Sequence, residues 1–341
     1  MHDVLNQVSH LERALEYYHT QEYTNILKDI LNIKFSKVIF TGMGSSNYAS
    51  IGASLFLNEN GVNSMVISAA QLLYYCSNII DNETLLIIVS QSGESAEIIN
   101  LLDKLNKNVN VIGVTNIPES TLALKIKKCL YLNVEKEVTV SSRTYTSTLM
   151  VLNLLARNIV HKEESYKLEL VSALESLKCF IEEYKNRESD INGYFENVKF
   201  ISFMGRGPSF GSALAGGLFL KEASKFPCEG TDSAEFRHGP IEVVDKNFGA
   251  VVFAPQGKTG DLGIKIARDI AIKEGKVILI TDQDNIEENK NIVILKYNNV
   301  DEYLSPIIEI AGVQFICNAA AKKLDIIPGE FRWASKITKE E

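Results

Sequence analysis

The feature that most restricts how this chain can fold is an internal repeat that relates two glycine-containing loops. At one constant spacing, Gly42, Gly44 and Ser46 recur as Gly205, Gly207 and Ser209. Apolar pentapeptides at 111–115 (VIGVT) and 277–281 (VILIT) recur at nearly the same spacing. Self-similarity of this kind indicates repeated structural units. The sequence therefore predicts two sibling domains.

Both halves alternate short apolar runs with helical patterns, which is the order that a parallel βαβ sheet requires. The predicted strands lie at 37–40, 64–68, 85–90, 109–114, 198–203, 250–254 and 276–280. The predicted helices include 48–57, 96–105, 146–159 and 306–321. The fold class is therefore α/β, with two similar doubly wound (flavodoxin-like) parallel sheets and helices on both faces. We expect a helical segment at 1–32, a first domain at 33–160, a helical connector at 161–197 and a second domain with a C-terminal tail at 198–341.

Composition excludes several classes of function. A formal net charge of −8 disfavours nucleic acid or an anionic membrane as the main partner. The five cysteines are scattered and form no CxxC pair, so they indicate neither a zinc site nor a disulfide framework. The N-terminus lacks the pattern of a signal peptide, and no apolar run reaches membrane-spanning length. We expect a cytoplasmic protein.

A serine-rich hexapeptide, SQSGES at 90–95, is the first candidate binding element. It follows a buried strand and precedes a helix, which is where open parallel sheets bind anions. Three serine hydroxyls and a flexible glycine, without the lysine of a P-loop, suit a terminal phosphate monoester better than a nucleotide triphosphate. The alternative is an ordinary helix N-cap in which Ser95 is the capping residue.

The glycine loop at 41–46 invites comparison with a dinucleotide-binding fingerprint. That fingerprint requires a third glycine where Asn47 stands, and an acidic residue after the next strand, where 68–70 read Ser-Ala-Ala. Both requirements fail, so we expect no nicotinamide or flavin cofactor. Ser45 and Ser46 become candidates for further substrate ligands.

Glu222 is a candidate base. Its helix begins with small residues, so another backbone can approach closely. On a helical period Glu222 lies among Leu218, Phe219 and Phe226, and a carboxylate on such an apolar face has a raised pKa suited to proton abstraction. The helix alone leaves open a second interpretation, in which Glu222 pairs with Lys225.

His238 is a candidate acid, because it lies between Glu235 and a Gly-Pro turn on a loop sixteen residues after Glu222. A lone histidine is more often structural than catalytic, so the pair is a candidate and no more. No second histidine or carboxylate stands at ligand spacing around His238, so we expect no metal site.

Together these motifs resemble the sugar isomerase (SIS) superfamily. The resemblance rests on SQSGES after a strand, the paired glycine loops, LKEAS followed by EFRHGP, and a C-terminal Ala-Ser-Lys segment. It covers roughly 33–341 and is strongest to the isomerase half of glucosamine-6-phosphate synthase and to stand-alone glucosamine-6-phosphate deaminases and fructosamine-6-phosphate deglycases.

The resemblance implies roles for particular residues. Glu222 matches the base that moves a proton between C1 and C2 of an open-chain sugar. His238 matches a ring-opening histidine contributed by the neighbouring subunit, which implies a homodimer. The residues that match sugar-phosphate ligands are Ser45, Ser46, Ser90, Gln91, Ser92 and Ser95.

Departures from the synthase pattern indicate the direction of the reaction. Two lysines of the synthase site fall at Phe219 and Ser335, with Lys336 displaced by one residue. His2 stands where the glutaminase half would begin with a cysteine, so we expect no glutamine-dependent amination. These departures favour an enzyme that removes nitrogen from an amino-sugar or ketosamine 6-phosphate. The alternatives are a simple aldose–ketose isomerase of a hexose phosphate and a non-catalytic sugar-phosphate sensor.

Overall fold

The structure is a computed structural model that forms two compact units. The first unit comprises Ser9–Tyr166 with Phe331–Glu341, and the second comprises Met1–Val8 with Lys167–Glu330. The residues that the structure describes are 2–135, 137, 140–161, 163–187, 191, 193–194, 196–284, 286, 289–333, 335 and 337–338.

Strands and helices alternate along most of the chain, as the repeat predicts. The N-terminal half contains α1 (His2–Leu5), α2 (Gln7–Tyr17), α3 (Gln21–Leu31), β1 (Lys37–Gly42), α4 (Ser45–Glu59), β2 (Ser64–Ser68), α5 (Ala69–Tyr74), β3 (Thr84–Val89), α6 (Ala96–Lys104), β4 (Asn110–Thr115), α7 (Thr121–Lys125), β5 (Cys129–Tyr131) and α8 (Arg143–Ile159). The C-terminal half contains α9 (Glu163–Tyr184), β6 (Phe200–Gly205), α10 (Pro208–Ser224), β7 (Cys228–Asp232), β8 (Phe248–Phe253), α11 (Gly260–Ile272), β9 (Lys276–Thr281), β10 (Ile292–Lys296) and α12 (Ser305–Lys323). Short 3-10 helices lie at Ser77–Ile79, Glu235–Arg237 and Pro240–Val243.

The first unit is built on a five-stranded parallel sheet with the order β2-β1-β3-β4-β5. Helices α5, α6 and α7 cover one face, where Leu72, Leu101 and Leu122 pack with the strand residues Ile39 and Leu86. The strand order reverses between β1 and β3, so loops that leave these neighbouring strands head toward opposite faces. The crevice between two such loops is the usual ligand site of an open parallel sheet.

The second unit repeats this topology with the order β7-β6-β8-β9-β10. Corresponding glycines precede the first long helix of each sheet with nearly identical backbone angles, φ 52° and ψ −127° at Gly44 and φ 55° and ψ −133° at Gly207. L-residues with a side chain rarely adopt these angles, so both positions favour glycine. The predicted fold class and the internal repeat are both confirmed.

The small residues in α10 permit the close approach that the sequence predicts. A Cβ atom on Gly217 would lie 2.6 Å from the backbone nitrogen of Gly230 in β7, and one on Gly216 would lie 2.5 Å from the Phe203 ring. Larger side chains would therefore push α10 off the sheet. This packing fixes the helix that carries Glu222.

Some elements differ from the sequence prediction. The edge strands β5, β7 and β10 were not predicted, because they are short and β7 reads CEGTD, which has weak strand propensity. Helices α4 and α8 each begin three residues earlier than predicted, at Ser45 and Arg143. None of the helices described combines the length and the apolar character needed to span a lipid bilayer.

Candidate functional site

The first unit brings the glycine loop after β1 and the serine loop after β3 together at one edge of its sheet. Strands β1 and β3 are adjacent and parallel, and their last residues, Gly42 and Val89, are partners in register. The loops that follow them therefore start side by side at the strand-order reversal. The loop after β3 carries four of the six predicted phosphate ligands, Ser90, Gln91, Ser92 and Ser95, and the other two, Ser45 and Ser46, are the first residues of α4 directly after the loop that follows β1.

The loop at 90–95 offers several hydrogen-bond donors. Within the described part of the chain, the backbone N–H groups of Gln91, Ser92 and Ser95 have no partner. The Ser90 hydroxyl accepts from the Gly93 N–H at 3.1 Å, and the Ser92 hydroxyl accepts from the Glu94 N–H at 3.2 Å. A hydroxyl that accepts one bond can still donate its own proton. The loop thus presents N–H and O–H groups suited to an anion.

The Ser90 and Ser92 side chains are largely shielded, with 5% and 8% of their surface exposed. Shielding strengthens hydrogen bonds to a charged ligand, because water competes less for the same groups. The loop precedes α6, and a helix N-terminus adds a favourable field for negative charge.

Ser95 occupies the N-cap position of α6, which was the alternative interpretation of this loop. Its side chain makes no capping hydrogen bond to α6. Instead, the N–H of Ala96 donates to the backbone carbonyl of Thr338 at 3.1 Å. The C-terminal segment of the chain therefore reaches the N-terminus of α6 beside the serine loop.

Glu222 lies in the last turn of α10 and is partly buried. The helix ends at Ser224, and Lys225 adopts a left-handed conformation with φ 59°. Phe226 therefore lies beyond the helix and not on its face, contrary to the predicted apolar setting; Leu218 and Phe219 do precede Glu222 on the helix. The Lys225 ammonium donates to the backbone carbonyls of Glu222 and Glu330.

Two buried thiols, Cys228 and Cys317, lie near each other, and Cys317 also lies near Glu222. Burial, followed by the neighbouring Cys228 and Glu222 side chains, raises the pKa of the Cys317 thiol well above its usual range. Burial also raises the pKa of Cys228 to about 12. Both thiols are therefore protonated near neutral pH.

His238 is exposed and terminates the 3-10 helix Glu235–Arg237. Its backbone N–H donates to the Glu235 carbonyl at 2.9 Å. Phe236 is fully buried and packs on Phe248 with ring centroids 5.7 Å apart, so it anchors the segment to the core. The anchored turn presents the imidazole to the surface of the unit.

The second unit does not bring Glu222 and His238 together. Helix α10 starts at the carboxyl end of β6 and runs back along the sheet, so Glu222 in its last turn lies near the amino end of β7. His238 follows the carboxyl end of β7. The two candidate catalytic groups therefore lie toward opposite edges of this sheet.

The synthase lysine positions carry no ammonium among the described residues. Phe219 is buried in α10, and the Ser335 hydroxyl donates to the Ile337 carbonyl at 2.6 Å. Lys336 lies outside the described residues.

The second unit has a loop that corresponds to the serine loop, at 254–259 after β8, but two of its backbone donors are engaged by carboxylates. The N–H of Gln256 donates to the Asp282 carboxylate at 2.5 Å, and the N–H of Lys258 donates to the Glu302 carboxylate at 2.9 Å. The chain's own carboxylates thus take the place that an external anion would need.

Glu309 is a buried carboxylate that the sequence analysis missed. It is fully shielded in α12 and accepts from the Ser209 hydroxyl at 2.7 Å and from the Ser305 hydroxyl at 3.2 Å. Burial raises its pKa to about 7, while hydrogen bonds from neighbouring serines limit the rise. One sequence signal could have identified Glu309 as a buried carboxylate, because it is the sole charged residue in the apolar stretch 305–321.

Comparison with known proteins identifies relatives over nearly the whole chain. The SIS domain family model matches residues 33–157 and 194–321. The glutamine–fructose-6-phosphate aminotransferase of Thermococcus kodakarensis is 27% identical over 328 residues, which is 92% of this chain and 54% of that protein. This chain therefore spans about half the length of the curated relatives it matches.

Solved structures share the fold at low identity. The C-terminal domain of glucosamine-fructose-6-phosphate aminotransferase from Francisella tularensis has a TM-score of 0.84 at 20% identity, covering 96% of this chain and 97% of that one. Glucosamine-6-phosphate deaminase from Thermotoga maritima has a TM-score of 0.75 at 19% identity, covering 98% of this chain and 99% of that one. At these identities the likeness concerns the fold alone.

Proposed function

Because the chain belongs to the SIS domain family, we propose that it is a phosphosugar isomerase or deaminase that acts on an amino-sugar or ketosamine 6-phosphate. The observation that carries the proposal is the serine loop at 90–95, which lies at the strand-order reversal of the first unit and has three backbone N–H groups without a partner in the described chain. Neutral donors at a helix N-terminus suit a phosphate monoester.

In this proposal the serine loops hold the 6-phosphate and Glu222 moves the proton. With an open-chain glucosamine 6-phosphate, Glu222 takes the C2 proton to give an enolamine and returns it to C1. The C2 nitrogen then forms an imine, and water releases ammonia and leaves fructose 6-phosphate. The same transfer from C1 to C2 of a fructosamine 6-phosphate gives a C1 imine, which yields glucose 6-phosphate and the amine. A positioned carboxylate is sufficient for either proton transfer.

His238 opens the sugar ring in the proposed reaction. Its exposure, and its place toward the sheet edge opposite Glu222, support a role at a site of a second copy of the chain. We therefore propose a homodimer in which His238 of the partner subunit protonates the ring oxygen.

The residues at the synthase lysine positions support the proposed direction of reaction. Phe219 and Ser335 cannot form a Schiff base with fructose 6-phosphate. This favours a substrate that already carries nitrogen over one that must first be captured as an imine on a lysine.

The test is release of ammonia from glucosamine 6-phosphate and of amine from a fructosamine 6-phosphate, with the hexose 6-phosphate product followed in parallel. We expect Glu222→Gln to lower turnover by about 10²–10⁴-fold while phosphosugar binding survives. Glu242→Gln, which changes an exposed carboxylate of the same unit, serves as the matched control.

Each other outcome discriminates between functions. Turnover of Glu222→Gln at the wild-type rate would overturn the role of Glu222. Interconversion of hexose phosphates without nitrogen release would establish the aldose–ketose isomerase alternative. Tight binding without any turnover would establish the sensor.

Complementation tests the shared histidine. Chains carrying Glu222→Gln and His238→Ala are each expected to be inactive as homodimers. Co-expressed, they form mixed dimers with one intact site, so about a quarter of wild-type activity returns if His238 acts across the interface. No return of activity would contradict that arrangement.

A further inference from the structure

The serine loop contains an acidic residue, Glu94, at a place where its charge should oppose the anion that the loop is suited to bind. Its neighbours Ser92 and Gly93 are buried and Glu94 itself is partly buried, so its carboxylate lies in a partly shielded part of the loop. Like charges in a shielded setting repel strongly. Where the carboxylate points therefore decides its effect on the site.

The Glu94 carboxylate turns away from the loop and engages Thr121, the first residue of α7. It accepts from the Thr121 N–H at 2.6 Å and from the Thr121 hydroxyl at 3.0 Å, using a different oxygen for each bond. Two bonds to one residue fix the direction of the carboxylate and partly compensate its charge.

The backbone beside Glu94 is held against the same segment. The Leu122 N–H donates to the Gly93 carbonyl at 3.2 Å. Gly93 has φ 64°, and a Cβ atom there would lie 2.3 Å from the Ser120 hydroxyl oxygen. Gly93 and Glu94 are thus clamped onto residues 120–122, while the N–H groups of Ser92 and Ser95 on either side remain available.

We infer that Glu94 is a positioning residue for phosphate binding, which acts through Thr121 to hold the serine loop in its anion-binding conformation. The inference rests on the proposed function of this loop. Glu94 does not contact the phosphate; it fixes the backbone between Ser92 and Ser95, and both of these residues contribute donors.

Electrostatics and positioning predict opposite signs, which makes the inference testable. If Glu94 acted only as a nearby negative charge, its neutralisation would tighten the binding of a phosphate dianion. If Glu94 positions the loop, Glu94→Gln weakens binding despite removing the repulsion, because an amide cannot accept both bonds from Thr121.

The experiment measures the dissociation constants of glucose 6-phosphate and inorganic phosphate by calorimetry. We expect Glu94→Gln to weaken binding about tenfold, as loss of a charged hydrogen bond would. Thr121→Val, which changes no charge and keeps the backbone N–H, should weaken it about threefold. Thr121→Ser keeps both donors and should bind like wild type. In turnover, the loss should appear in KM, with kcat within about twofold.

Controls separate failure of the inference from failure of the proposed function. Ser92→Ala reports the loop as a phosphate site without involving Glu94. If Ser92→Ala weakens binding but Glu94→Gln binds as tightly as wild type or more tightly, the inference is wrong and the proposed site stands. If Glu94→Gln loses its folded structure, Thr121→Val decides, and wild-type affinity in that variant overturns the inference. If wild type binds neither ligand, both are overturned.

Discussion

Two loops at corresponding positions of the two sheets differ in whether carboxylates accept hydrogen bonds from their backbone N–H groups. The loop at 90–95 follows β3 in the first unit and leaves three N–H groups without a partner in the described chain. The loop at 254–259 follows β8 in the second unit and gives the N–H groups of Gln256 and Lys258 to the Asp282 and Glu302 carboxylates. The topology thus provides the same loop position twice, once as an open loop at 90–95 with three N–H donors that are free among the described residues and once as a closed loop at 254–259 with two N–H donors bonded to carboxylates.

The difference extends to the neighbouring loop of each sheet. In the second unit the Ser209 hydroxyl donates to Glu309, whereas the hydroxyl of Ser46, its repeat counterpart, has no hydrogen-bond partner among the described residues. Carboxylates therefore accept hydrogen bonds at both corresponding positions of the second unit, the loop after β8 and the start of α10. This difference is why the proposed phosphate site is assigned to the first unit.

The largest effect is expected from a substitution that introduces a carboxylate into the loop at 90–95, as in the second unit. Ser92→Asp places a negative charge among the free donors, and we expect phosphosugar binding to weaken about a thousandfold, because like charges cost several kcal/mol. Ser92→Asn has nearly the same shape without the charge and should lose far less. Calorimetry measures both. Equal losses in the two variants would show that shape, and not charge, separates the loops.

The second-largest effect concerns the stability of the second unit, in which Glu309 accepts hydrogen bonds from Ser209 and Ser305. The folded pKa of Glu309 is about 7, above its ordinary value of 4.5. The folded state therefore holds a proton that the unfolded state has lost between these values, and stability falls as pH rises through that window. Glu309→Gln should raise the free energy of unfolding by about 3 kcal/mol at pH 8 and leave it unchanged at pH 4. Denaturant unfolding at both pH values checks this, and a gain of equal size at both would contradict it.

A tenfold effect is expected from removing one donor of the open loop. Ser90→Ala deletes a shielded hydroxyl and should weaken phosphosugar binding about tenfold, since a hydrogen bond to a charged group is lost. Thr259→Ala changes the corresponding end of the closed loop and should leave the affinity unchanged. If Thr259→Ala weakened binding as much as Ser90→Ala, the two loops would not differ in function.

The smallest effect is expected from Asp282→Asn. This change weakens the charged bond to the Gln256 N–H and should lower the free energy of unfolding by about 1 kcal/mol. The affinity of the first unit for a phosphosugar should remain within about twofold of wild type. Thermal unfolding and calorimetry on the same sample measure the two quantities. A large loss of affinity would show that the closed loop also takes part in binding.

The sequence by itself determined the two-fold α/β repeat and the position of the serine loops. Glycines that need unusual backbone angles and apolar runs of strand length are local signals, and both recur along the chain. Gly44 and Gly207 both adopt such backbone angles at the same position of the repeat. For the same reason the residues of the loop at 90–95 can be selected as candidate ligands from their local pattern alone.

Only the tertiary structure decided which of these loops is open and where the candidate catalytic groups lie. Asp282 and Glu302 are distant in sequence from the N–H groups they accept from, and nothing local predicts such pairing. The direction in which α10 runs along the sheet places Glu222 and His238 toward opposite edges, although only sixteen residues separate them. Hydrogen bonds and packing between distant segments depend on how the chain folds back on itself, and local pattern does not encode that.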